Sequence, residues 1–247
     1  MTDPLTIIIA GLLAIFLGGI TQGLTGFGFA LVSVPIMVIF LSPKIVVPIV
    51  LMQSILINLI ILLEARKWVN LKRIWPLMIA GIVGIPLGTY LLIVLDVGIL
   101  RVFIGAVLIP FAIASFMGFK KQIKNEKLAF APVGFISGLL GASTTLAGPP
   151  VILFFVNQGV AKQTFRANLV AYFMVLSLAT ISAFTLGGVI TTAVIKYATW
   201  FLPATFLGGI TGIKLAHKVD EKLFRNIALI VVTIAGLLSI ASGLGIL

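Results

Sequence analysis

The sequence predicts an all-α polytopic membrane protein, and three observations lead to that fold class. Hydrophobic residues occupy 61% of the 247 positions and charged residues 9%, with a mean hydropathy of +1.29. Apolar runs long enough to cross a bilayer recur along the chain, whereas a soluble domain of this size needs a polar surface. The sequence also lacks the alternating ten-residue strands of an outer-membrane barrel.

The net charge of +11 agrees with this fold class. In a soluble domain it would indicate nucleic-acid binding, but membrane proteins concentrate Lys and Arg in their cytoplasmic loops, so we expect no nucleic-acid partner. The absence of Cys excludes disulfides, thiolate metal sites and cysteine nucleophiles. Asp3 and no basic residue precede the first apolar run, so we interpret that run as a retained span rather than a signal peptide.

Ten apolar segments predict ten helices. In chain order they are 5–22, 26–41, 45–63, 74–95, 98–118, 129–144, 147–158, 167–187, 191–213 and 224–246. The second and seventh are short for a helix that needs about 20 residues to cross a bilayer. The sequence therefore leaves open ten full spans, or fewer spans with re-entrant hairpins.

The chain divides into two similar halves. The polar stretch KKQIKNEK at 120–127 is the longest interruption, and it predicts a first repeat over 1–119, a cytoplasmic connection over 120–128 and a second repeat over 129–247. GGITQGLTGFGFALVSVP in the first half is similar to SGLLGASTTLAGPPVILF in the second, and AGIVGIPLG is similar to GGITGIKLA. Each half then places an Asp five residues before an Arg. The shared order of these matches indicates a duplication.

The distribution of charge predicts how the halves are oriented. If alternate loops face alternate sides, one side receives Arg66, Lys67, Lys72, Arg73, Lys120, Lys121, Lys124, Lys127, Lys162, Arg166, Lys214, Lys218, Lys222 and Arg225. The other side keeps Lys44, Arg101 and Lys196. The first side is therefore predicted to be cytoplasmic, with both termini outside. A loop that is rich in basic residues in one half corresponds to a loop with few of them in the other half. We therefore expect two inverted-topology repeats of about five segments each.

The glycine-rich stretch at the start of each half predicts a broken helix. In hydrocarbon, interrupted backbone is tolerated where it is buried in protein or lines a polar cavity. A helix that begins near Gly26 or Gly148 would direct free N–H groups and a positive dipole end into the protein. Two such ends would form an anion site at the repeat interface, and Pro149 suits a first helical turn.

Polar residues cluster at the same two places and extend the candidate substrate site. Hydroxyl and amide donors suit the oxygens of a sulfonate or carboxylate, although small and hydroxyl residues also permit close helix packing. The predicted substrate-binding residues are Gln22, Thr25, Gly26, Phe27, Gly28, Gln53, Asn58, Ser143, Thr144, Thr145, Gly148 and Arg166. Gln53 and Asn58 are second-tier members, since interhelical hydrogen bonds explain such residues equally well.

A set of short motifs carries a family resemblance: the two glycine-rich breaks, the GPP of the second half and the following FRANL. With them the chain resembles the sulfite exporter TauE/SafE family of permeases over essentially its whole length. The resemblance implies transport of small organosulfur or related anions, such as sulfite, sulfoacetate and isethionate, commonly outward. It also implies a multi-pass protein of a prokaryotic plasma (inner) membrane. For Arg166, within FRANL, two hypotheses remain: a bidentate sulfonate anchor, or a positive-inside residue that extends to lipid headgroups.

Other functions fit the sequence less well. His217 lies in a charged loop without metal-ligand spacing, and no nucleophile–base constellation predicts an enzyme; we therefore expect no catalytic residue, metal or cofactor. The six acids lie at termini, in loops or at segment ends, which disfavours coupling through an interior carboxylate. An anion channel and a carboxylate carrier of the same fold remain alternatives, and the sequence leaves a homodimer open.

Overall fold

The computed structural model describes residues 4–117, 126–215 and 221–246. Over these ranges the chain forms ten α-helices and one short 3-10 turn, Arg66–Trp68, and no β-strand. The helices are α1 Pro4–Thr25, α2 Phe29–Phe40, α3 Pro43–Ala65, α4 Leu71–Val94, α5 Val97–Met117, α6 Glu126–Thr144, α7 Gly148–Asn157, α8 Lys162–Leu186, α9 Thr192–Leu215 and α10 Glu221–Gly243. Each predicted apolar segment is thus a helix. The polar stretch 120–127 falls largely outside these ranges, as do His217 and Asp220.

Six helices of the described part of the chain are long and apolar enough to cross a membrane: α1, α3, α4, α5, α8 and α9. The protein is therefore a multi-pass membrane protein. By contrast, α2 has 12 residues and α7 has 10. At about 1.5 Å per residue these lengths are well below the roughly 30 Å of a hydrocarbon core.

Among the described helices, the starts of α2, α4, α6 and α10 differ from the predicted segments by three residues and that of α8 by five. Local backbone preference explains the differences at α2 and α8. The second helix begins at Phe29 and not near Gly26, because Gly26 and Gly28 both have positive φ and form the turn that precedes it. The eighth begins at Lys162, five residues before the predicted apolar boundary. Its first turn contains polar residues, so a prediction from hydropathy starts the helix too late.

Small residues allow close contacts between helices, and in two of the helix pairs the helices run parallel. Helices α1 and α9 cross where Gly19 meets Gly208 and Gly23 meets Gly212. Helices α4 and α6 cross in the same way, with Gly84 against the Phe135 carbonyl. Glycine lets two backbones approach in a membrane, where apolar side chains gain little by contacting each other rather than lipid.

Two further helix pairs are antiparallel. On α3 and α8, the Ser54 and Ser177 hydroxyls lie 3.5 Å apart, while Glu64 at the end of α3 meets Arg166 at the start of α8. On α5 and α10, Gly98 contacts Gly243, and Gly105 lies against Gly236. Each of these pairs joins one helix of the first half to the helix with the same rank in the second half.

Each short helix folds back on the helix before it. In the first hairpin the Ser33 hydroxyl of α2 donates to the Ala14 carbonyl of α1 at 3.0 Å. In the second, the Ser137 hydroxyl of α6 donates to the Ala147 carbonyl that precedes α7, at 2.6 Å. The hairpins place the N-termini of α2 and α7 inside the protein.

Candidate substrate site

Two helix breaks with the same local geometry interrupt the chain 119 residues apart. The first lies between Thr25, the last residue of α1, and Phe29. The second lies between Thr144, the last residue of α6, and Gly148. In both, the threonine hydroxyl donates to the carbonyl four residues back, at 2.8 and 2.7 Å, and accepts the N–H two residues ahead, at 3.2 and 3.3 Å.

The residue after each threonine adopts the left-handed conformation that reverses the chain. It is Gly26 in the first break, with φ +82°, and Thr145 in the second, with φ +63°. Glycine takes this conformation without steric cost, whereas a β-branched residue is strained there and needs support from its surroundings. Thr145 has such support, because its hydroxyl donates to the Val47 carbonyl of α3 at 3.1 Å.

A cavity of about 60 Å³ lies where the two breaks face each other. A cavity volume of about 10–15 Å³ accommodates one water molecule, so this cavity has room for several waters or a small anion. Its lining comes from both halves of the chain: Gln22, Gly28, Phe29, Ala30, Leu31, Leu51, Ser54, Asn58, Gly141, Thr145, Leu146, Ala147, Gly148, Phe173, Leu176, Ser177 and Thr180.

The N-termini of both short helices face this cavity. The amides of Ala30 and Leu31 belong to the first turn of α2, where a helix supplies no acceptor of its own. In α7, Pro149 and Pro150 have no N–H, so that helix contributes its dipole and the Gly148 amide. A Cβ at Gly148 would lie 3.0 Å from Ile152 Cδ1 and 3.7 Å from the Phe173 ring, so a side chain there would occupy the space beside this backbone.

A chain of hydrogen bonds fixes the orientation of the Asn58 amide. The Phe29 N–H donates to Gln22 Oε1 at 3.2 Å. An N–H is only a donor, so the Gln22 Oε1 must face it and the Gln22 Nε2 must point away. That nitrogen donates to Asn58 Oδ1, and the Asn58 NH₂ group is thereby left as a donor at the cavity. Asn58 is only 1% exposed.

Helix α8 contributes one face to the cavity. Phe173, Leu176, Ser177 and Thr180 line it and follow the i, i+3, i+4, i+7 spacing of a single helix face. Thr180 is 2% exposed, and its hydroxyl makes no hydrogen bond within the described part of the chain. These residues were missed by sequence reasoning. The spacing was the available signal, but an apolar stripe of this kind usually marks ordinary core packing.

Five of the predicted site residues line the cavity: Gln22, Gly28, Asn58, Thr145 and Gly148. Seven do not: Thr25, Gly26, Phe27, Gln53, Ser143, Thr144 and Arg166. Thr25, Gly26 and Thr144 shape the breaks, as described above. The Ser143 hydroxyl instead donates to the Leu139 carbonyl of its own helix at 2.8 Å, and the Phe27 ring packs edge-on against Phe165, with centroids 6.1 Å apart.

Gln53 faces away from the cavity and joins α3 to α9. Its Nε2 donates to the Ala198 carbonyl at 2.5 Å, and its Oε1 accepts the Thr205 hydroxyl at 2.8 Å. Both ends of the amide are therefore occupied. The structure supports the alternative that the sequence left open for this residue, an interhelical hydrogen bond.

Arg166 connects the two halves beside the first break. Its guanidinium nitrogens donate to the Glu64 carboxylate at 3.3 and 3.1 Å, and Nη2 also donates to the Gly23 carbonyl at 3.2 Å. Its aliphatic stem lies against Gly26. The side chain of Arg166 is 12% exposed and that of Glu64 43%. Neither hypothesis from the sequence included this pairing of Arg166 with an acidic residue.

Together the helices and the cavity define a multi-pass helical membrane protein with a polar chamber between two broken-helix hairpins. The chain belongs to the sulfite exporter TauE/SafE family, whose model matches residues 11–239. Members of that family are transporters and not enzymes, so the protein is a membrane transporter of the sulfite and related anion type. Comparison with curated proteins and with solved structures found no match.

Proposed function

We propose that the protein is a permease that exports small organosulfur or related anions, and that the cavity between the two breaks is its substrate site. One observation carries the proposal: two helix N-termini and the free Asn58 NH₂ group converge on one cavity. Helix N-termini favour anions through their amides and dipoles. The Asn58 NH₂ group can donate to an anion oxygen, because it makes no hydrogen bond among the described residues.

The two halves, 1–119 and 129–247, are proposed to be inverted repeats joined by a cytoplasmic connection. The helix pairing supports this relation, because α1 packs on α9 as α6 packs on α4. The antiparallel pairs α3–α8 and α5–α10 support it further, since equivalent helices of inverted repeats run in opposite directions. An odd number of crossings in each half would put both termini on the same side, and the basic loops on the other side support the outside of a prokaryotic plasma membrane.

Transport is proposed to proceed by alternating access, with contacts at the breaks as gates. Val47 and Arg166 stand 119 residues apart, the same spacing that relates the breaks. Each lies beside the left-handed residue of the opposite half: Val47 beside Thr145, and Arg166 beside Gly26. One half could therefore move relative to the other by releasing one contact at a time. On the cytoplasmic side, the contact includes the Arg166–Glu64 ion pair.

The membrane potential is proposed to drive export. A singly charged anion that leaves a negative interior gains about 2.3 kcal/mol per 100 mV. The Glu64 side chain, near the end of α3, is 43% exposed and is therefore not an enclosed interior carboxylate. Uniport therefore needs no proton or sodium partner to be favourable, and an imposed potential should change the rate.

The proposal is tested in proteoliposomes loaded with isethionate and assayed for exchange of labelled isethionate. We expect saturable exchange that is lost in Asn58→Leu and kept in Ser182→Ala, whose hydroxyl bonds only to its own helix at the exposed face of α8. Saturation distinguishes a carrier from an anion channel, which would pass measurable current. Saturable exchange that persists in Asn58→Leu would remove the cavity from the proposal.

A further inference from the structure

The cavity is polar without being charged. Among the described residues that line it, none has an ionisable side chain. Its side-chain polar groups are the amides of Gln22 and Asn58 and the hydroxyls of Ser54, Thr145, Ser177 and Thr180. Much of the remaining wall consists of leucine and phenylalanine side chains.

Positive potential in the cavity therefore comes mainly from the two helix ends. Each helix N-terminus is equivalent to roughly half an elementary positive charge, so the ends of α2 and α7 together correspond to about one. Arg166 lies close to the first break, but its charge is compensated by Glu64 at 3.1 Å. The chamber can thus neutralise about one negative charge.

Two buried donors complete the site. Gln22 orients the Asn58 amide by donating to its Oδ1, and the Asn58 NH₂ group can then act only as a donor. The Thr180 hydroxyl, 2% exposed, is free to donate. No carboxylate among the lining residues is present to pair with an ammonium group.

On this basis we propose that the site selects singly charged anions with a short apolar part, against doubly charged anions and zwitterions. The inference rests on the proposed function and adds the charge class of the substrate. A second negative charge would enter a low-dielectric chamber without a cation to balance it, and a desolvated unpaired charge is strongly unfavourable. An ammonium group would lose its hydration and find no carboxylate. The leucine and phenylalanine walls suit one or two methylene groups.

Three two-carbon sulfonates of similar size test this inference. Isethionate carries one negative charge, sulfoacetate two, and taurine a balanced pair. Dissociation constants are measured by thermal stabilisation and by equilibrium binding to the purified full-length protein. We expect isethionate to bind at least about tenfold more tightly than either of the others, which corresponds to 1.4 kcal/mol or more.

The outcomes separate the two proposals. Binding of none of the three sulfonates would overturn the proposed function itself. Equal binding of isethionate and sulfoacetate, or tighter binding of sulfoacetate or taurine, would overturn the charge selection and leave the anion site standing. Thr180→Lys adds the missing cation and should shift the affinity ratio toward sulfoacetate. If that variant fails to fold, Leu51→Lys places a cation on the part of the lining that α3 contributes and tests the same ratio.

Discussion

Gln22 at the end of α1 and Asn58 in the middle of α3 are joined by a hydrogen bond whose direction is set by a third group, the Phe29 N–H. The start of the broken helix α2 thereby controls how an amide on another helix presents its donor. This relay links the geometry of the first break to the chemistry of the cavity. It also gives a role to a glutamine that is buried in the last turn of a membrane helix.

Gln22→Glu tests the relay with almost no change in shape. A carboxylate at this position still accepts the Phe29 N–H, but it cannot donate to Asn58 Oδ1. We expect the Asn58 amide to reverse and donate to the carboxylate, which removes its donor from the cavity and adds a negative charge near it. Isethionate exchange should fall at least about tenfold, measured in proteoliposomes. Undiminished exchange would contradict the relay.

Arg166→Ala distinguishes the two hypotheses from the sequence, a sulfonate anchor or a contact with lipid headgroups, from the pairing with Glu64 that the structure shows. Because Arg166 does not line the cavity, the variant should retain isethionate-dependent thermal stabilisation, while its transport rate changes through loss of the contact beside Gly26. Ligand at 100 times its dissociation constant stabilises a protein by about 2.7 kcal/mol, a shift that is readily measured. Loss of that shift in a variant that folds normally would return Arg166 to the substrate site.

Breaking the Arg166–Glu64 pair should increase access to the cavity from the cytoplasm. The native chain contains no Cys, so a single Ala30→Cys substitution in the cavity wall reports accessibility to a membrane-impermeant thiol reagent. Glu64→Gln is expected to speed labelling from the cytoplasmic face, and the exchanged pair Glu64→Arg with Arg166→Glu is expected to slow it again.

The control for that experiment is a second ion pair on other helices. Arg73 and Glu126 join α4 to α6 at 2.8 Å and do not contact a break. Glu126→Gln should therefore leave the labelling rate of Ala30→Cys unchanged. Equal acceleration by both glutamine variants would indicate general loosening of the bundle and would contradict a gate at Glu64.

Gly208→Ala should destabilise the α1–α9 contact. A Cβ at this position would lie 2.5 Å from the Phe16 carbonyl oxygen, a backbone atom that cannot move aside alone. We expect a loss of about 1–3 kcal/mol, as for overpacking of a protein core, read from the unfolding temperature. Gly236→Ala is the matched control, because its Cβ would meet Leu108 Cβ at 3.3 Å. A larger loss at Gly236 than at Gly208 would refute this account of the packing.

Much of the fold and part of the site followed from local sequence. Hydropathy located each α-helix of the described residues, because an apolar segment in lipid must satisfy its backbone internally. Gly26 and Gly28 marked the first break, since positive φ favours glycine. Thr145 carries positive φ without being a glycine, and only its hydrogen bond to Val47 shows what supports it. The starts of α2 and α8 were misplaced because turn and capping geometry is not encoded in hydropathy.

The sequence by itself determined that the chain is a bundle of membrane helices with two glycine-rich interruptions, because apolar length and backbone freedom are properties of consecutive residues. Only the tertiary structure decided which polar groups meet. Gln53 turned toward Thr205, Arg166 paired with Glu64 across 102 positions, and the α8 face of Ser177 and Thr180 joined the cavity. These outcomes depend on how each helix is rotated about its axis and which helix lies opposite. Both are set by long-range packing, chiefly where glycines let backbones approach.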